Sequence, residues 1–146
     1  MAFRVRPFYN LDKPVGRNKT NARDDVGLVQ FFLNFIQKNP DVLLGSFQAP
    51  KRPLRVTGVF DDATHDWIVA FQTAVRGGFQ KNLVVDGIVD PARGYSSQQT
   101  SITHATYTIV LLNNAYAARN PGLHSHIWDD PDMLPDVGKK VQEDAR

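Results

Sequence analysis

One pattern occurs twice in this chain, as Leu54-Arg55-Val56-Thr57-Gly58-Val59-Phe60-Asp61-Asp62-Ala63 and again as Leu83-Val84-Val85-Asp86-Gly87-Ile88-Val89-Asp90-Pro91-Ala92. A short unit repeated along a chain indicates a supersecondary element that is used twice. The alternation of apolar residues before each glycine predicts a short extended segment. We expect Gly58 and Gly87 to turn the chain at positive φ, which glycine adopts without steric cost.

Three helices are predicted around these two turns. The first covers about residues 25–38, with Asp24 as its N-cap. The second starts at Asp61 or Asp62, because a carboxylate suits a helix N-terminus, and its inner face shows three- and four-residue spacing: Thr64, Trp67, Ile68, Phe71 and Val75. The third covers about residues 101–119, with an inner face made of Ile102, Ala105, Ile109, Leu112 and Tyr116.

The first predicted helix carries more apolar residues than a single buried face requires: Val26, Leu28, Val29, Phe31, Phe32, Leu33, Phe35 and Ile36. A helix that is apolar on nearly all sides must be covered on nearly all sides. We therefore expect the flanking segments, or a partner chain, to pack against it. The predicted organisation is an extended basic arm at residues 1–23, a helical domain at 24–120, and an irregular C-terminal tail at 121–146.

The order of the motifs resembles that of the peptidoglycan-binding-domain-like family, over about residues 24–116. The matching pieces are Asp25-Val26-Gly27-Leu28-Val29-Gln30, Ile68-Val69-Ala70-Phe71-Gln72 and Val85-Asp86-Gly87-Ile88-Val89-Asp90-Pro91. The resemblance implies a mainly α fold, a three-helix bundle with two short extended glycine-turn segments and little regular sheet. This chain departs from the family pattern at Asp61 and Asp90, where the family usually has glycine, and in a polar insertion at residues 92–101.

Composition favours one folded domain. The chain has 146 residues, of which 42% are hydrophobic, and it has no cysteine. The absence of cysteine excludes a disulfide framework, a thiol nucleophile and cysteine-based zinc sites. No apolar run is long enough for a membrane helix, and residues 1–7 lack the apolar core of a secretory signal. We therefore expect synthesis in the cytoplasm, with delivery to the cell wall by lysis, a virion or an injection machine.

Positive charge is concentrated in two places, although the net charge is only +2. The N-terminal arm carries six cations, namely Arg4, Arg6, Lys13, Arg17, Lys19 and Arg23, and a second group is formed by Lys51, Arg52 and Arg55. Two interpretations stay open, a solvated arm and loop or docking to an anionic partner. Nucleic acid is the weaker candidate partner, because no recognition-helix or aromatic-interleaved basic motif accompanies the charge.

Catalytic patterns are poor in this sequence. The single glutamate is Glu143, whereas glycosidases place a pair of carboxylates across a cleft. No G-x-S-x-G nucleophile elbow is present. His124 and His126 could form a metal pair on an extended strand, but no third ligand is fixed by spacing. We therefore expect a non-enzyme with no metal and no cofactor.

Two functions are compatible with these observations. The resemblance implies a non-catalytic module that binds peptidoglycan or another wall polymer, through hydrogen bonds and sugar stacking. Its candidate contacts lie where the two turns are expected to converge: Asp61, Asp62, His65, Asp90, Arg93 and Tyr95. Each of these residues could equally be a helix cap or a loop residue. The alternative function is a structural or adaptor protein that contacts protein subunits inside a phage or contractile injection assembly.

Overall fold

The fold is mainly helical in the computed structural model, which describes residues 8–43, 47–78, 80–93 and 106–145. These residues form five α-helices: α1 (Arg23–Lys38), α2 (Asp62–Gly78), α3 (Thr108–Arg119), α4 (Pro121–His124) and α5 (Pro135–Asp144). Two 3-10 turns, Pro40–Val42 and Ile127–Asp129, connect them. The described residues contain no β-sheet, and Val15 and Val89 form an isolated antiparallel bridge.

Helix α1 lies at the centre and contacts α2, α3 and α5. Ten of its sixteen residues are buried, which confirms that the helix is covered on most sides. The predicted N-cap is wrong, because α1 begins one residue before Asp24 and the cap position is Ala22, with no side-chain cap bond. Asp24 and Asp25 lie in the first turn instead, where negative charges interact favourably with the positive end of the helix dipole.

Helix α2 follows the prediction closely. It begins at Asp62, directly after Asp61, and the five residues predicted for its inner face are all buried. The side chain of Trp67 is 3% exposed, and its indole nitrogen donates to the carbonyl oxygen of Arg52 at 2.8 Å. This bond fixes the loop before the first turn against α2.

Helix α3 begins later than predicted. Thr106 and Tyr107 are not helical, and Tyr107 has an extended backbone with ψ of 141°. Its carbonyl oxygen accepts the amide hydrogens of Val110 and Leu111, so the first helical turn forms only beyond it. The predicted inner residues of α3 that the structure describes are all buried: Ile109, Leu112 and Tyr116. Ile102 and Ala105 lie outside the described residues.

The C-terminal tail, predicted to be irregular, instead contains helices α4 and α5. Each begins with a proline at its first position, Pro121 and Pro135, where the missing amide hydrogen costs nothing. Val137 and Val141 are four residues apart and both buried, so α5 presents one apolar stripe and packs against α1. The prediction of an irregular tail is therefore wrong for these two stretches.

A buried glutamine of α1 holds the first glycine turn. The Gln30 side chain is 0% exposed. Its amide oxygen accepts the backbone hydrogens of Thr57 and Gly58 at 2.9 and 2.8 Å. Its amide nitrogen donates to the carbonyl oxygen of Val59 at 3.0 Å and to the hydroxyl of Thr64 in α2 at 2.9 Å. One side chain therefore ties α1, the turn and the start of α2 together.

A second glutamine, Gln72 of α2, holds the second turn in the same way. Its amide oxygen accepts the backbone hydrogens of Asp86 and Gly87 at 3.2 and 2.9 Å. Its amide nitrogen donates to the carbonyl oxygen of Ile88 at 3.0 Å and to the hydroxyl of Thr108 in α3 at 3.2 Å. The repeated sequence pattern is thus a repeated structural unit, in which a helix holds the following turn and the start of the next helix.

Both turn glycines have positive φ, 80° at Gly58 and 73° at Gly87, which confirms the expectation from the sequence. In each turn the residue before glycine also bonds across it. Thr57 and Asp86 accept the amide hydrogens of Val59 and Ile88 with their side-chain oxygens. The two turns therefore have closely similar local hydrogen bonding.

Residues 8–22 of the N-terminal arm lie against the helices and are held by side chains that bond to backbone. Asn113 of α3 bonds to both the amide and the carbonyl of Tyr9, and Asn10 bonds to both groups of Ala92. The carboxylate of Asp25 in α1 accepts the amide hydrogens of Asp12 and Lys13. The apolar residues of this segment are buried as well: Phe8, Leu11 and Val15.

Replacing Gln72 with alanine should destabilise the protein by about 2–5 kcal/mol, because it leaves the amides of Asp86 and Gly87 without an acceptor in a buried position. Gln142 on α5 supplies a control, since Gln142→Ala removes a half-buried side chain from a helix without affecting a turn. Urea unfolding of the three proteins measures the difference. Equal urea midpoints for Gln72→Ala and Gln142→Ala would show that Gln72 does not stabilise the second glycine turn.

Shortening Leu11 to alanine should cost about 2–5 kcal/mol of unfolding free energy, because the side chain is 3% exposed and its loss leaves a cavity under the arm. Deleting residues 1–20 should have a larger effect and promote self-association, since it uncovers apolar surface around Val89. Thr20→Ala is the matched control at an exposed position of the same arm. A deletion variant that is monomeric and as stable as the intact chain would contradict this expectation.

Candidate functional site

The start of α2 meets the second glycine turn. The imidazole of His65, in the first turns of α2, packs so closely on Gly87 that a Cβ added to the glycine would lie 2.7 Å from Cε1 and 2.9 Å from Nδ1. Residues 15–19 of the arm lie beside both elements, because Val15 pairs with Val89 and Arg17 reaches Asp62. We call the surface formed by residues 15–19, 62–65 and 86–90 the turn face.

Asp61, a predicted contact residue, serves as the N-cap of α2. Its carboxylate accepts the amide hydrogen of Thr64 at 2.8 Å and also the hydroxyl hydrogen of Thr64. The Thr64 hydroxyl in turn accepts a bond from Gln30. The Asp61 carboxylate is therefore committed to the helix and to the network that holds the first turn.

Asp62, its neighbour, points to solvent with 70% of its side chain exposed. Its two carboxylate oxygens face different arginines. Arg17 of the arm lies 3.4 Å from Oδ1, and Arg52 of the loop before the first turn lies 3.8 Å from Oδ2. Three segments that are far apart in sequence thus place charged groups together at the N-terminus of α2.

His65 is half-buried, and its Nδ1 has no hydrogen-bond partner among the described residues. The ring fills the space that the missing side chain of Gly87 leaves. Its position is therefore set by packing against the second turn, which makes it a support of the turn face.

Asp90 and Arg93 are exposed after the second turn, and Tyr95 lies outside the described residues. Although the Asp90 side chain reaches solvent, partial burial raises the pKa of its carboxyl, and the nearby charge of Asp86 adds to this effect. Lys19 of the arm opposes the shift. Lys19 therefore belongs to the same charged surface as Asp90.

Residues 15–19 of the arm form part of the turn face. Val15 donates to the carbonyl oxygen of Val89 at 3.0 Å and accepts from the amide of Val89 at 2.8 Å. The arm thus covers one side of the second turn and contributes Arg17 and Lys19 beside Asp62 and Asp90. A ligand at the turn face would meet cations from the arm together with these carboxylates.

Sequence reasoning assigned no role to Gln30 and Gln72, the residues that organise the site. A signal was present, because both end a quoted helix motif and each precedes one of the glycine turns. A glutamine that is buried in a helix has two donor hydrogens and two acceptor lone pairs that need partners. The backbone of a tight turn supplies them.

An apolar groove lies away from the turn face, between α2, α3 and the first 3-10 turn. Its volume is about 210 Å³, and it is lined by Val42, Leu43, Phe71, Ala74, Val75, Leu111, Asn114, Ala115 and Ala118. This volume is smaller than most small-molecule sites. It suits a single apolar side chain.

Neither of the histidines considered as a metal pair is arranged for a metal. His124 is buried, and its Nε2 lies 2.9 Å from the side-chain oxygen of Asn113. Nδ1 of His126 lies 3.1 Å from Asp129. In the described part of the chain, no three histidine, aspartate or glutamate side chains gather as a metal site would require. Over the same residues, no helix has the length and hydropathy needed to cross a membrane.

Comparison of the chain with protein-family models, with curated proteins and with solved structures gave no match.

Substituting alanine for Gly87 should destabilise the protein more than the same change at Gly58. Both residues have positive φ, which costs about 1–3 kcal/mol for a residue with a side chain. The new Cβ at Gly87 would also meet the packed ring of His65, whereas at Gly58 it would meet the side chain of Arg23, which is 50% exposed and can move.

A double-mutant cycle with His65→Ala isolates the contact. In that background, Gly87→Ala should cost about as much as Gly58→Ala, as measured by urea unfolding. If Gly87→Ala lowers the free energy of unfolding equally with and without the His65 side chain, the imidazole ring does not pack against Gly87.

Proposed function

We propose that this chain is a non-catalytic peptidoglycan-binding module with a three-helix arrangement like that of the peptidoglycan-binding-domain-like family. The observation that carries the proposal is the duplicated glutamine-held turn. Gln30 and Gln72 each fix a glycine turn and the start of the following helix. Helices α1, α2 and α3 follow one another in the order that the sequence resemblance implies, with one such turn between each pair.

The turn face is the proposed wall-binding surface. It presents exposed Asp62 and Asp90 together with Arg17 and Lys19, and His65 lies half-buried between them. The Asp90 carboxylate can accept hydrogen bonds from the N-acetyl and peptide amides of the polymer, and the cations can donate to its carbonyl and carboxylate oxygens. The backbone beneath these side chains is fixed by the two glutamines, so little order is lost when a ligand binds.

The proposal includes no chemical step on the polymer. Glycoside hydrolysis needs two carboxyl groups held across a cleft, and here Asp61 is engaged as a helix cap while Glu143 lies exposed on α5. Asp62 and Asp90 lie on an open surface. The groups available at the turn face are suited to binding.

The apolar groove favours a second candidate function, an adaptor in a phage or contractile injection assembly. Small side chains of α2 and α3 line its floor, with Phe71 and Leu111 beside them, and it could take an apolar side chain of a neighbouring subunit. In that case the protein should co-purify with a large particle from its own cells. Ala118→Arg, which changes an exposed residue of the groove, should abolish this association.

Co-sedimentation with purified wall sacculi tests the first function. The intact protein should pellet with the sacculi, and the double variant Asp90→Ala/Arg93→Ala should pellet less, because it removes the exposed carboxylate of Asp90 at the turn face and the exposed cation of Arg93 just beyond it. Arg76→Ala is the matched control, since Arg76 is exposed in the last turn of α2, at the opposite end from Asp62. The turbidity of the suspension should stay constant.

Two results would count against the proposal. If the folded protein stays in the supernatant, it does not bind the wall and the adaptor function is the remaining candidate. If the suspension clears, and a single substitution abolishes the clearing, the protein is a wall hydrolase.

A further inference from the structure

Two arginines from separate segments face one carboxylate at the turn face. Arg17 approaches Oδ1 of Asp62 at 3.4 Å, and Arg52 approaches Oδ2 at 3.8 Å. The side chains of Arg17, Arg52 and Asp62 are 55%, 58% and 70% exposed. The cluster therefore has an excess of one positive charge and is open to solvent.

The backbone that carries each arginine is fixed. The carbonyl oxygen of Arg52 accepts the indole hydrogen of the buried Trp67 at 2.8 Å. Arg17 follows Gly16, whose amide and carbonyl both bond to the side chain of Asn21, at 2.9 and 2.8 Å. The two side chains therefore extend from fixed backbone positions towards the same carboxylate.

Neither arginine is saturated by Asp62. A guanidinium has five N–H donors, and strong charge-assisted bonds to carboxylates measure about 2.7–2.9 Å. Arg23 shows such an arrangement, since its Nε and Nη2 lie 2.7 and 3.2 Å from the two oxygens of Asp136. Within the described residues, Arg17 and Arg52 instead reach Asp62 with one nitrogen each, over longer distances. Most of their donors therefore remain free for another acceptor.

The spacing of the two arginines suits a carboxylate. Each guanidinium faces a different oxygen of the same carboxylate, so the gap between them matches a planar group with two oxygens. The carboxylate of Asp62 indicates where such a group fits. A ligand carboxylate could join or replace it with little rearrangement of the fixed backbone.

We propose that Arg17 and Arg52 form a binding site for a carboxylate of the peptidoglycan stem peptide, and that Asp62 limits its affinity by occupying the arginines in the free protein. This inference rests on the proposed wall binding and names the chemical group that is recognised. The site is separate from Asp90 and Arg93. Because it is exposed and charged, its contribution weakens as salt increases.

The variants Arg17→Ala/Arg52→Ala and Asp62→Asn test the site in opposite directions. The double variant should lower affinity for sacculi about tenfold at low salt, whereas Asp62→Asn should raise it. Arg76→Ala, which removes one cation from the far end of α2, should leave affinity unchanged. Unaltered circular dichroism and thermal midpoints show that the variants are folded. Equal binding by the wild type and the double variant overturns the proposal.

Treated sacculi identify the anion. Converting the wall carboxylates to amides should remove the difference between the wild type and the double arginine variant. Stripping phosphate-bearing polymers from the wall should leave that difference intact. The opposite pattern would show that the arginines bind phosphate and would overturn the assignment to carboxylates.

Titration with acetate separates this inference from the proposed function. The arginine side-chain NMR signals of Arg17 and Arg52 should shift with acetate in the wild type, and shift more in Asp62→Asn. If they shift while the protein fails to bind sacculi, the carboxylate site stands and peptidoglycan is not its source. If they do not shift, the site itself is refuted, whatever the sacculi show.

Discussion

A buried glutamine amide offers one acceptor and two donor hydrogens from a single planar group, and this fold depends on that property in two places. The peptide groups of a tight turn point in several directions, and when buried they need partners. Gln30 and Gln72 each accept hydrogen bonds from the backbone amides of the glycine and of the residue before it. Each also donates a hydrogen bond to the carbonyl oxygen of the residue after the glycine. Asparagine is the only other side chain with a carboxamide group, and it is shorter by one methylene group.

The same two residues also set where the next helix begins. Each glutamine donates to a threonine hydroxyl in the first turn of the following helix, Thr64 in α2 and Thr108 in α3. Loss of one amide would therefore loosen a turn and the start of a helix together. The turn face depends on the hydrogen bonds of these two glutamines, because Asp62 and His65 follow the first turn and Asp90 follows the second.

Local features of the fold could be predicted from the sequence, and pairings between distant residues could not. Positive φ at both glycines and the inner face of α2 follow from short-range patterns. Helix α5 was not predicted, because its apolar stripe consists of only Val137 and Val141, which is too short to show a helical period. The roles of Gln30 and Gln72 depend on which turn the folded chain brings within hydrogen-bonding distance. The spacing of residues along the sequence does not reveal which turn that is.

The candidate site shows the same limit at the scale of single residues. Asp61 and Asp62 are equivalent in the sequence, yet one caps α2 and the other points to solvent between two arginines. Successive residues at a helix start point in different directions, so adjacency does not give them a common role. The basic groups of the arm and of the loop near residue 52 were visible as composition, but their convergence on Asp62 depends on the folded chain.

The arm has a consequence for how the chain is made. Its partners lie late in the sequence: Asn113 and His124 bond to Tyr9, and Lys140 lies 3.0 Å from Asp12. Residues 8–12 are synthesised long before these partners, so their contacts cannot form while the nascent chain is incomplete. Contacts between such distant residues slow folding, because a long loop must close before they form. These contacts of the arm therefore form late, because Asn113, His124 and Lys140 must be synthesised before Tyr9 and Asp12 can bind them.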